Sequence, residues 1–369
     1  MTRVGSGAPN GGAGTNLAMS VVPGHRDTAT TATVPDPSPT EGSVLVETLL
    51  VGVCGTDLHI VGSTRAARSQ AAAAGAPPLV LGHEAVGRVL DAPHDSGFTA
   101  GQLVTGIVRR PCTECQACAR DDWDFCTSGS YTERGIRGAD GFGRLRWRCE
   151  PDYLVAVPGP LGELGVLVEP MSVVCKALET AFYVGGRVAS KPERLLVTGA
   201  GPIGLLAAAA GKDAGLEVTV LDRMRTGVKP RLVAALGATY TDDLGSLAGG
   251  PRFDVALECS GAAEVMGPST ALLAQAGVMV LIAGAAARPE SVAHLLVRAN
   301  AALVGTVNAG RRHYTQAVET LQRIDRAWLA GLITRRVPLA CWTTALDRDD
   351  DEVKVVVEFD PAHQPRLGT

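Results

Sequence analysis

The chain has 369 residues, a length that suits two domains better than one. Its net charge of −4, without a basic stripe, argues against a nucleic-acid-binding protein, and its 46% hydrophobic content argues against a disordered one. No apolar run reaches the roughly 18–20 residues that a membrane span requires. We therefore expect a globular α/β protein whose partners include neither nucleic acid nor a membrane.

The chain contains nine cysteines, and four of them lie between positions 112 and 126. An odd number, crowded in this way, is a poor pattern for the disulfide framework of a secreted protein. The first residues also lack the basic segment followed by an apolar segment that marks a signal peptide. We therefore expect a cytoplasmic protein whose thiols are reduced and available to metals.

The first half of the chain has the pattern of a β-rich domain. Residues 1–17 are rich in Gly, Ser and Asn, which predicts a flexible leader. Over 18–157, short apolar runs separated by Pro and Gly predict a barrel-like set of strands, namely VLVETLLVGV, APPLVLGHEAVGRVL, QLVTGIV and YLVAVP. Residues 161–185 then predict a helical segment before the composition changes near Lys191.

Strands and helices alternate after Lys191. The predicted strands are LLVTGAG, EVTVLD, FDVALECSG, GVMVLIAG and ALVGTVN, and the predicted helices are PIGLLAAAAGKDAG, PRLVAALGA and EVMGPSTALLAQA. This alternation indicates a parallel sheet covered by helices on both faces. The last strand, VKVVVEF, breaks the alternation and is expected to return to the first domain. We therefore predict a first domain over 18–190 with a cysteine lobe at 109–128, a second domain over 191–308, and a C-terminal return over 309–369.

The first motif with a chemical meaning is Gly199-Ala200-Gly201-Pro202-Ile203-Gly204, which fits G-x-G-x-x-G. It follows a predicted strand and opens a predicted helix, which is the context that a dinucleotide-binding turn requires. Glycines at these positions allow a tight turn and let a pyrophosphate approach the helix N-terminus. The alternative is a glycine-rich turn of an ordinary βαβ unit.

The next strand ends at Asp222, 18 residues after Gly204. Its carboxylate could accept hydrogen bonds from the ribose diol of a dinucleotide. A carboxylate there would repel the 2′-phosphate of NADP, which favours NAD. Arg223 and Arg225 follow at once and could pair with that phosphate, so NADP remains open as the coenzyme.

The second motif is a Cys-x2-Cys-x2-Cys-x7-Cys cluster formed by Cys112, Cys115, Cys118 and Cys126. Four thiolates at this spacing can enclose a tetrahedral zinc ion. Such a site leaves no coordination position for a substrate, so the zinc would be structural. The alternative is a chance cluster of free cysteines.

A third group consists of Cys54 in CGTDLH together with His83 and Glu84 in Gly-His-Glu. A thiolate, an imidazole and a carboxylate suit a catalytic zinc that keeps a position for substrate. Taken singly, His83 could be a buried structural histidine and Cys54 a small core residue. Together with a dinucleotide-binding domain they indicate hydride transfer from an alcohol. Thr56 and His59 could then relay the proton to water, and the alternative for His59 is an exposed loop histidine.

These motifs resemble the zinc-dependent medium-chain dehydrogenase/reductases of the alcohol dehydrogenase superfamily, and most of all their glucose 1-dehydrogenase branch. The superfamily features are the CGTD loop, the Gly-His-Glu, the four-cysteine lobe and the GAGPIG turn. The branch features are CTSGSYTERGIRGADGF, GVLVEPMSVVCKAL, VNAGRRHY and LITRRVPL. The resemblance implies a chaperonin-10-like β-barrel catalytic domain and a Rossmann dinucleotide-binding domain with a parallel, doubly wound sheet, in a homodimer or homotetramer.

The resemblance also implies roles for individual residues. The ligands of a catalytic zinc would be Cys54, His83, Glu84 and Glu169. The lobe cysteines would hold a structural zinc, which makes two zinc ions per subunit. A polyhydroxylated small-molecule substrate would contact Thr56, Glu133, Glu169 and Asn308, and Asn308 would also face the nicotinamide side of the cleft.

Some residues depart from the glucose branch. His59 stands where that branch often has an acidic residue, and Val173 where some sugar-oxidising members have a carboxylate. Fewer carboxylates mean fewer acceptors for sugar hydroxyls, which puts glucose itself in doubt. A set of polar residues further along could form a solvated face or bind an anionic substrate, namely Arg298, Asn300, Arg311, Arg312 and His313.

The function that follows from the sequence is zinc-dependent, NAD(P)-dependent transfer of hydride between nicotinamide and a hydroxyl of a sugar-like substrate. The alternative enzyme is a polyol, cyclitol or secondary-alcohol dehydrogenase, including one that performs a tailoring step in a biosynthetic pathway. A non-catalytic relative that binds nucleotide without turnover is a third reading. The presence of Cys54, His83 and Glu84 argues against it, because a lost ligand would mark such a relative.

Overall fold

The structure, a computed structural model, describes residues 16–62, 77–283 and 290–359. Its first half is built mainly from strands. These strands are β1 (Asn16–Val22), β2 (His25–Val34), β3 (Val44–Val53), β4 (Leu79–Val80), β5 (Glu84–Asp91), β6 (Leu103–Gly106), β7 (Arg109–Arg110), β8 (Thr132–Arg134), β9 (Gly138–Ala139), β10 (Arg146–Cys149) and β11 (Leu154–Val157). The short helix α1 (Gly55–Ile60) follows β3.

Helices and strands alternate in the second half. The helices are α2 (Val168–Gly185), α3 (Pro202–Asp213), α4 (Val228–Ala235), α5 (Ala263–Thr270), α6 (Glu290–Ala299), α7 (Arg311–Arg323) and α8 (Arg326–Leu332). The strands are β12 (Arg194–Thr198), β13 (Glu217–Leu221), β14 (Thr239–Thr241), β15 (Phe253–Glu258), β16 (Leu273–Leu281), β17 (Ala302–Gly305), β18 (Ile333–Pro338) and β19 (Lys354–Glu358). Within the described ranges, no helix has the length and apolar character to span a membrane.

Antiparallel pairing dominates the first half. The largest sheet has the order β11-β6-β5-β3-β19-β18, and β10 also pairs with β3. Strands β2, β1 and β4 form a second sheet, and β7, β8 and β9 form a third. A core that includes the fully buried Phe142, Trp147 and Trp342 packs among these strands. The predicted β-rich domain is confirmed.

The first strand begins earlier than the sequence predicts. The predicted leader over 1–17 includes Asn16 and Leu17, which the structure places in β1. The fully buried Asn16 side chain accepts a hydrogen bond from the Arg146 N–H and donates one to the Arg146 carbonyl, both at 3.0 Å. These long-range bonds order a residue whose local composition predicts flexibility. The rest of that leader, residues 1–15, lies outside the described residues.

The second half contains a six-stranded parallel sheet with the order β14-β13-β12-β15-β16-β17. Its strands are buried on both faces, with Leu195 and Val197 in one core and Leu196 in another, because helices cover both faces of the sheet. The predicted doubly wound fold is confirmed. The strand order reverses between β12 and β15, and ligands of such sheets bind in the crevice at that point.

The last strand returns to the sheet of the first half. Strand β19 pairs antiparallel with β3, where Val355 lies opposite Val53, and parallel with β18. This pairing places Lys354, the first residue of β19, beside the end of β3 that leads into α1. The boundaries of the two domains and of the return stay predictions, and residues 360–369 of that return lie outside the described residues.

One predicted helix is wrong in its second half. The segment 264–276 was expected to be helical throughout, but α5 ends at Thr270 and β16 begins at Leu273. Pro268 lies inside α5 and weakens its continuation. Leu273 pairs with Phe253 of β15, and burial in the sheet outweighs the helix propensity of this Ala- and Leu-rich stretch.

Candidate active site

A cavity of about 490 Å³ lies where the two halves of the chain meet. Cys54 and Thr56 line it from the start of α1, and Glu169 from the start of α2. Pro202 and Ile203, at the N-terminus of α3, line it from the parallel sheet. Its other lining residues include His83, Glu84, Glu133, Val173 and Asn308. The cavity therefore contains most of the residues that the sequence singled out for catalysis.

The structure brings the predicted metal-binding residues of this cavity close together. Ligand atoms of Cys54, His83 and Glu84 all lie within 4.8 Å of one another, and the Cys54 Sγ is 3.1 Å from the His83 Nε2. Cys54 caps α1, since its Sγ accepts the Thr56 N–H at 3.2 Å. His83 and Glu84 enter from the beginning of β5. The fold thus joins residues that lie about thirty positions apart in the chain.

The buried carboxylate of Asp57 orients this group. Its Oδ2 accepts the Cys54 N–H at 2.8 Å, and its Oδ1 lies 3.5 Å from the His83 Nδ1. A carboxylate on the far nitrogen of a metal-binding histidine aims the other nitrogen at the metal. Burial raises the pKa of Asp57, but the charge and hydrogen bond of His83, the Cys54 N–H and the charge of Lys354 together outweigh burial, so the pKa is lowered.

The electrostatics of the group suit a cation. Burial lowers the pKa of His83, yet the charges of Cys54 and Asp57 outweigh burial and raise that pKa well above its ordinary value. The same field that favours a proton on the His83 ring would favour a metal cation at Nε2. Since thiolate, imidazole and carboxylate are the donors that zinc takes in proteins, these residues fit a zinc ion.

Glu84 has a partner that sequence reasoning missed. Its Oε2 lies 2.5 Å from the Nζ of Lys354, and the side chains of both residues are almost inaccessible to solvent. Gly52 lies opposite Glu84 in the sheet, and a Cβ at Gly52 would lie 2.1 Å from the same oxygen. The carboxylate therefore occupies a space that only glycine leaves open, and Lys354 neutralises it there.

Glu169 lines the cavity but is not part of the close metal-type cluster that the described residues form. It is the second residue of α2. Burial raises the pKa of Glu169 to about 7, with a further contribution from the charge of Glu84. Its role as a further zinc ligand stays a prediction.

The two residues of the predicted proton relay lie in different surroundings. Thr56 lines the cavity. His59 is half-buried in the last turn of α1 and is not among the described residues that line the cavity. The geometry accordingly offers a hydroxyl at the cavity, and the involvement of His59 stays a prediction.

Glu133 and Asn308 meet at the wall of the cavity, and their contacts with substrate and coenzyme stay predictions. The Asn308 Nδ2 donates to the Glu133 Oε1 at 2.6 Å. Arg109, which sequence reasoning missed, donates to the same oxygen from Nε at 3.2 Å and from Nη2 at 2.9 Å. Three donors on one oxygen hold the carboxylate rigidly and leave Oε2 for another donor.

A second cavity follows the glycine turn. It is lined by Gly199, Gly201, Asp222, Arg223, Lys229 and Ser260, among others. A Cβ at Gly204 would lie 1.8 Å from the Gly199 carbonyl oxygen, so the helix can pack this closely on the turn only with glycine there. The glycine turn directly follows β12, where the strand order of the sheet reverses. Pro202 and Ile203 of the same segment line the first cavity.

The polar residues after β13 already form hydrogen bonds or ion pairs within the protein. Asp222 accepts the Ala200 N–H at 2.6 Å through Oδ2 and the Met224 N–H at 3.1 Å through Oδ1. Arg223 pairs with Asp350, and Arg225 pairs with Asp242 at 2.7 Å. Both arginines that could meet a 2′-phosphate thus face carboxylates of the protein.

The four lobe cysteines are also brought together. Their sulfur atoms lie within 4.8 Å of one another, with Cys112 to Cys118 at 3.7 Å and Cys115 to Cys126 at 4.0 Å. Backbone N–H groups point at the sulfurs, and the one from Cys118 is foremost in lowering the pKa of Cys115 to about 5. Four sulfurs in this arrangement fit a closed zinc site.

The polar residues that could form a solvated face or bind an anionic substrate line neither of the two cavities described above. Four of them are exposed, namely Arg298, Asn300, Arg311 and Arg312. Arg311 donates to the backbone carbonyls of Pro151 and Asp152. Arg312 pairs with Asp122 and with Glu179 of α2. His313 is fully buried. These side chains are occupied in joining α7 to the rest of the protein.

Several buried cations escaped the sequence analysis, and Arg109, Lys176 and Lys354 are the ones that contact the candidate site or its supports. The chain has only five lysines, and Lys176 and Lys354 each interrupt an otherwise apolar segment, VVCKAL and VKVVVEF. A lysine in an apolar run needs a buried partner, because burying an unpaired charge is very costly. A lysine within an apolar segment was therefore the feature of the sequence that could have predicted these buried ion pairs.

Comparisons with known proteins cover nearly the whole described chain. Residues 40–159 match the family described as alcohol dehydrogenase GroES-like domain, and residues 162–359 match the family described as glucose dehydrogenase C-terminus. The chain is 36% identical over 368 residues to the glucose 1-dehydrogenase of Methanocella arvoryzae, covering 93% of this chain and 99% of that protein. It is 38% identical over 343 residues to the glucose 1-dehydrogenase of Halobacterium salinarum, covering 88% and 94%.

A solved structure is similar over the same length. The glucose dehydrogenase of Haloferax mediterranei, in complex with NADP, Zn and gluconolactone, superposes with a TM-score of 0.82 and 32% sequence identity. The match covers 93% of this chain and 99% of that one. These findings confirm the resemblance that the motifs carried.

Proposed function

This chain belongs to the zinc-dependent medium-chain dehydrogenases of the alcohol dehydrogenase superfamily, in their glucose dehydrogenase branch, and from that membership we propose that it oxidises a hydroxyl of a sugar-like substrate with NAD(P) as the hydride acceptor. One observation carries the proposal. A single cavity contains the Cys54, His83 and Glu84 group, the Glu133 and Asn308 pair, and the start of the dinucleotide helix α3.

The cavity suits the chemistry of hydride transfer. A zinc ion held by Cys54, His83 and Glu84 would lower the pKa of a substrate hydroxyl, and a nicotinamide in the cavity would accept the hydride. The Thr56 hydroxyl lines the cavity and is our candidate to receive the departing proton. His59, one turn further on, is our candidate for passing that proton outward.

The sugar-binding role of Glu133 and Asn308 follows from their hydrogen bonds. Arg109 and Asn308 occupy the Oε1 of Glu133, which leaves Oε2 to accept a substrate hydroxyl. A site built to hydrogen-bond a hydroxyl discriminates strongly against an analogue that lacks it. A substrate with several hydroxyl groups is therefore favoured over a simple alcohol.

The dinucleotide site favours NAD. The Asp222 carboxylate lies beside the glycine turn, and carboxylates already pair with Arg223 and Arg225. A 2′-phosphate would have to displace those carboxylates to reach the arginines. NADP remains the alternative, and the relative from Haloferax mediterranei holds NADP in its structure.

A cyclitol or polyol is the second candidate for the substrate. Val173 lines the cavity one helical turn after Glu169, and an apolar side chain there offers no acceptor to a sugar hydroxyl. We further propose one catalytic and one structural zinc per subunit, a homodimer or homotetramer, and a cytoplasmic location, the last supported by the cysteine pattern.

The test is a survey of turnover with zinc-replete protein, followed through the absorbance of reduced nicotinamide. NAD and NADP would each be offered with glucose, galactose, cyclitols, polyols and simple alcohols. Turnover of a sugar or cyclitol, lost on chelation and restored by zinc, is the expected result. Turnover that survives complete removal of zinc would refute the mechanism, and turnover of simple alcohols alone would refute the substrate class.

Two variants separate the metal-binding role of Cys54 from the substrate-binding role of Glu133. Cys54→Ser should abolish turnover without changing the dissociation constant of ADP-ribose, because ADP-ribose occupies only the dinucleotide side. Glu133→Gln should retain turnover but raise the KM of the sugar, because Arg109 and Asn308 hold the carbonyl oxygen at the Oε1 position and the amide nitrogen that replaces Oε2 cannot accept a hydrogen bond. Equal effects of Glu133→Gln on sugars and on simple alcohols would contradict its assignment.

A further inference from the structure

The cysteine lobe (residues 109–128) forms a buried ion pair with α2 that involves none of its four clustered cysteines. The Asp124 carboxylate, between the third and fourth cysteines, lies 2.7 Å from the Nζ of Lys176 on α2. Both side chains are more than nine-tenths buried. The Phe125 ring covers the ammonium group, with its centroid 4.4 Å from Nζ. The pair links the lobe to α2, and loss of either partner would leave the other charge buried and uncompensated.

Lys176 also reaches the wall of the active-site cavity. Its Nζ donates to the Val307 carbonyl at 3.0 Å. Val307 directly precedes Asn308, whose φ of +59° lies in the left-handed region, which Asn adopts more readily than most residues. The bond from Lys176 therefore fixes the backbone immediately before Asn308.

Arg109 makes a second connection from the same point of the lobe. Its Nη1 donates to the Asp124 backbone carbonyl at 3.1 Å, while its Nε and Nη2 hold the Glu133 carboxylate. Glu133 is in turn bonded to Asn308. The side chain of Asp124 thus holds the Asn308 end of the wall through Lys176, and its backbone holds the Glu133 end through Arg109.

We propose that Asp124 and Lys176 are positioning residues for substrate binding, which set the placement of Glu133 and Asn308 from within the cysteine lobe. The lobe therefore supports the substrate wall in addition to the fold. This inference rests on the proposed function for the contacts that Glu133 and Asn308 make with substrate hydroxyls. Neither Asp124 nor Lys176 touches the substrate in this assignment.

The decisive variant removes both charges together. Lys176→Met alone would leave the Asp124 carboxylate buried without a partner and would destabilise the protein strongly. The double variant Lys176→Met/Asp124→Asn avoids that charge but breaks the link to the Val307 carbonyl. We expect the KM of the sugar to rise about ten-fold, because displacements of about 1 Å at a binding wall are costly. The kcat should change less, and the dissociation constant of ADP-ribose should stay unchanged.

The matched control is Arg312→Gln. Arg312 also joins the lobe to α2, through Asp122 and Glu179, but on the surface and without contact with Val307 or Glu133. It should leave the KM of the sugar unchanged. The single variant Lys176→Arg, which keeps a cation that can bond Asp124 and Val307, should keep most of the wild-type affinity. Thermal unfolding and zinc content would be measured for every variant.

The outcomes separate the two proposals. If wild-type protein oxidises no sugar or cyclitol, the proposed function fails before any variant is compared. If the wild type is active and the double variant has the KM of Arg312→Gln, the positioning role is refuted. A raised KM that follows the loss of thermal stability in every variant, including Arg312→Gln, would likewise refute it. A raised KM in a double variant with wild-type stability supports it.

Discussion

Removal of the Lys354 cation gives a quantitative test of the buried pair beneath the active site. Lys354→Met keeps most of the apolar stem of the side chain and removes the ammonium group, which leaves the Glu84 carboxylate buried without a partner. At an N–O separation of 2.5 Å and an effective dielectric constant of about 20, the direct attraction is about 7 kcal/mol. Desolvation offsets part of it, and breaking such a pair costs about 3–5 kcal/mol.

Thermal unfolding of zinc-free and zinc-replete protein measures this cost. For a protein of this size, about 3–5 kcal/mol corresponds to a Tm lower by about 4–6 °C. The decrease should be larger in the zinc-free protein, because a cation bound near Glu84 would compensate the carboxylate. Lys191→Met makes the same chemical change at an exposed lysine and should shift stability by less than about 0.5 kcal/mol.

A double variant completes the test. Lys354→Met/Glu84→Gln removes both charges and should recover most of the lost stability in zinc-free protein. If zinc-free Lys354→Met unfolds at the same temperature as Lys191→Met, the buried pair contributes nothing and the reasoning is wrong. The same conclusion follows if Glu84→Gln fails to recover stability in the Lys354→Met background.

Three further predictions concern other parts of the molecule. Cys115→Ser should lower the Tm of zinc-replete protein and have little effect after chelation, since the thiolate contributes folding free energy through a bound metal; equal Tm values with zinc would contradict a structural site. Asp222→Asn should change the ratio of the NAD and NADP dissociation constants about ten-fold toward NADP, equivalent to about 1.4 kcal/mol, and an unchanged ratio in fluorescence titrations would remove Asp222 from coenzyme selection. Burial lowers the pKa of His313, whose Nδ1 accepts the Gly310 N–H at 3.0 Å. The neutral ring therefore stabilises the fold above its ordinary pKa of about 6.5, and stability falls as the pH drops below that value. Melting curves of His313→Gln should accordingly depend less on pH between about 7 and about 5, and an equal dependence would refute this.

The local motifs were predictable because their geometry follows from spacing along the chain. The four lobe cysteines lie within fifteen residues, so a single loop can gather their sulfurs. The glycine turn was identified for the same reason, since strand, turn and helix are consecutive. The alternation of continuously apolar strands with helices likewise predicted the parallel sheet, because strands covered on both faces must be apolar throughout.

Prediction failed where a local preference was outweighed by a distant contact. Asn16 lies in a polar segment, yet its hydrogen bonds to Arg146 make it part of β1. The Ala- and Leu-rich residues after Thr270 favour a helix, but pairing of Leu273 with Phe253 makes them a strand. In both cases the deciding partner lies elsewhere in the chain, and propensity is a weak term beside burial and pairing.

The sequence by itself determined the class of protein and its chemical groups, since residue types and short spacings specify a dinucleotide turn, two thiolate-containing clusters and their family. Only the tertiary structure decided which groups act together. Lys354 meets Glu84 across 270 positions, and Asn308 meets Glu133 across 175. The physical reason is that a buried charge must find its partner in space, and no spacing along the chain encodes where the sheets bring that partner.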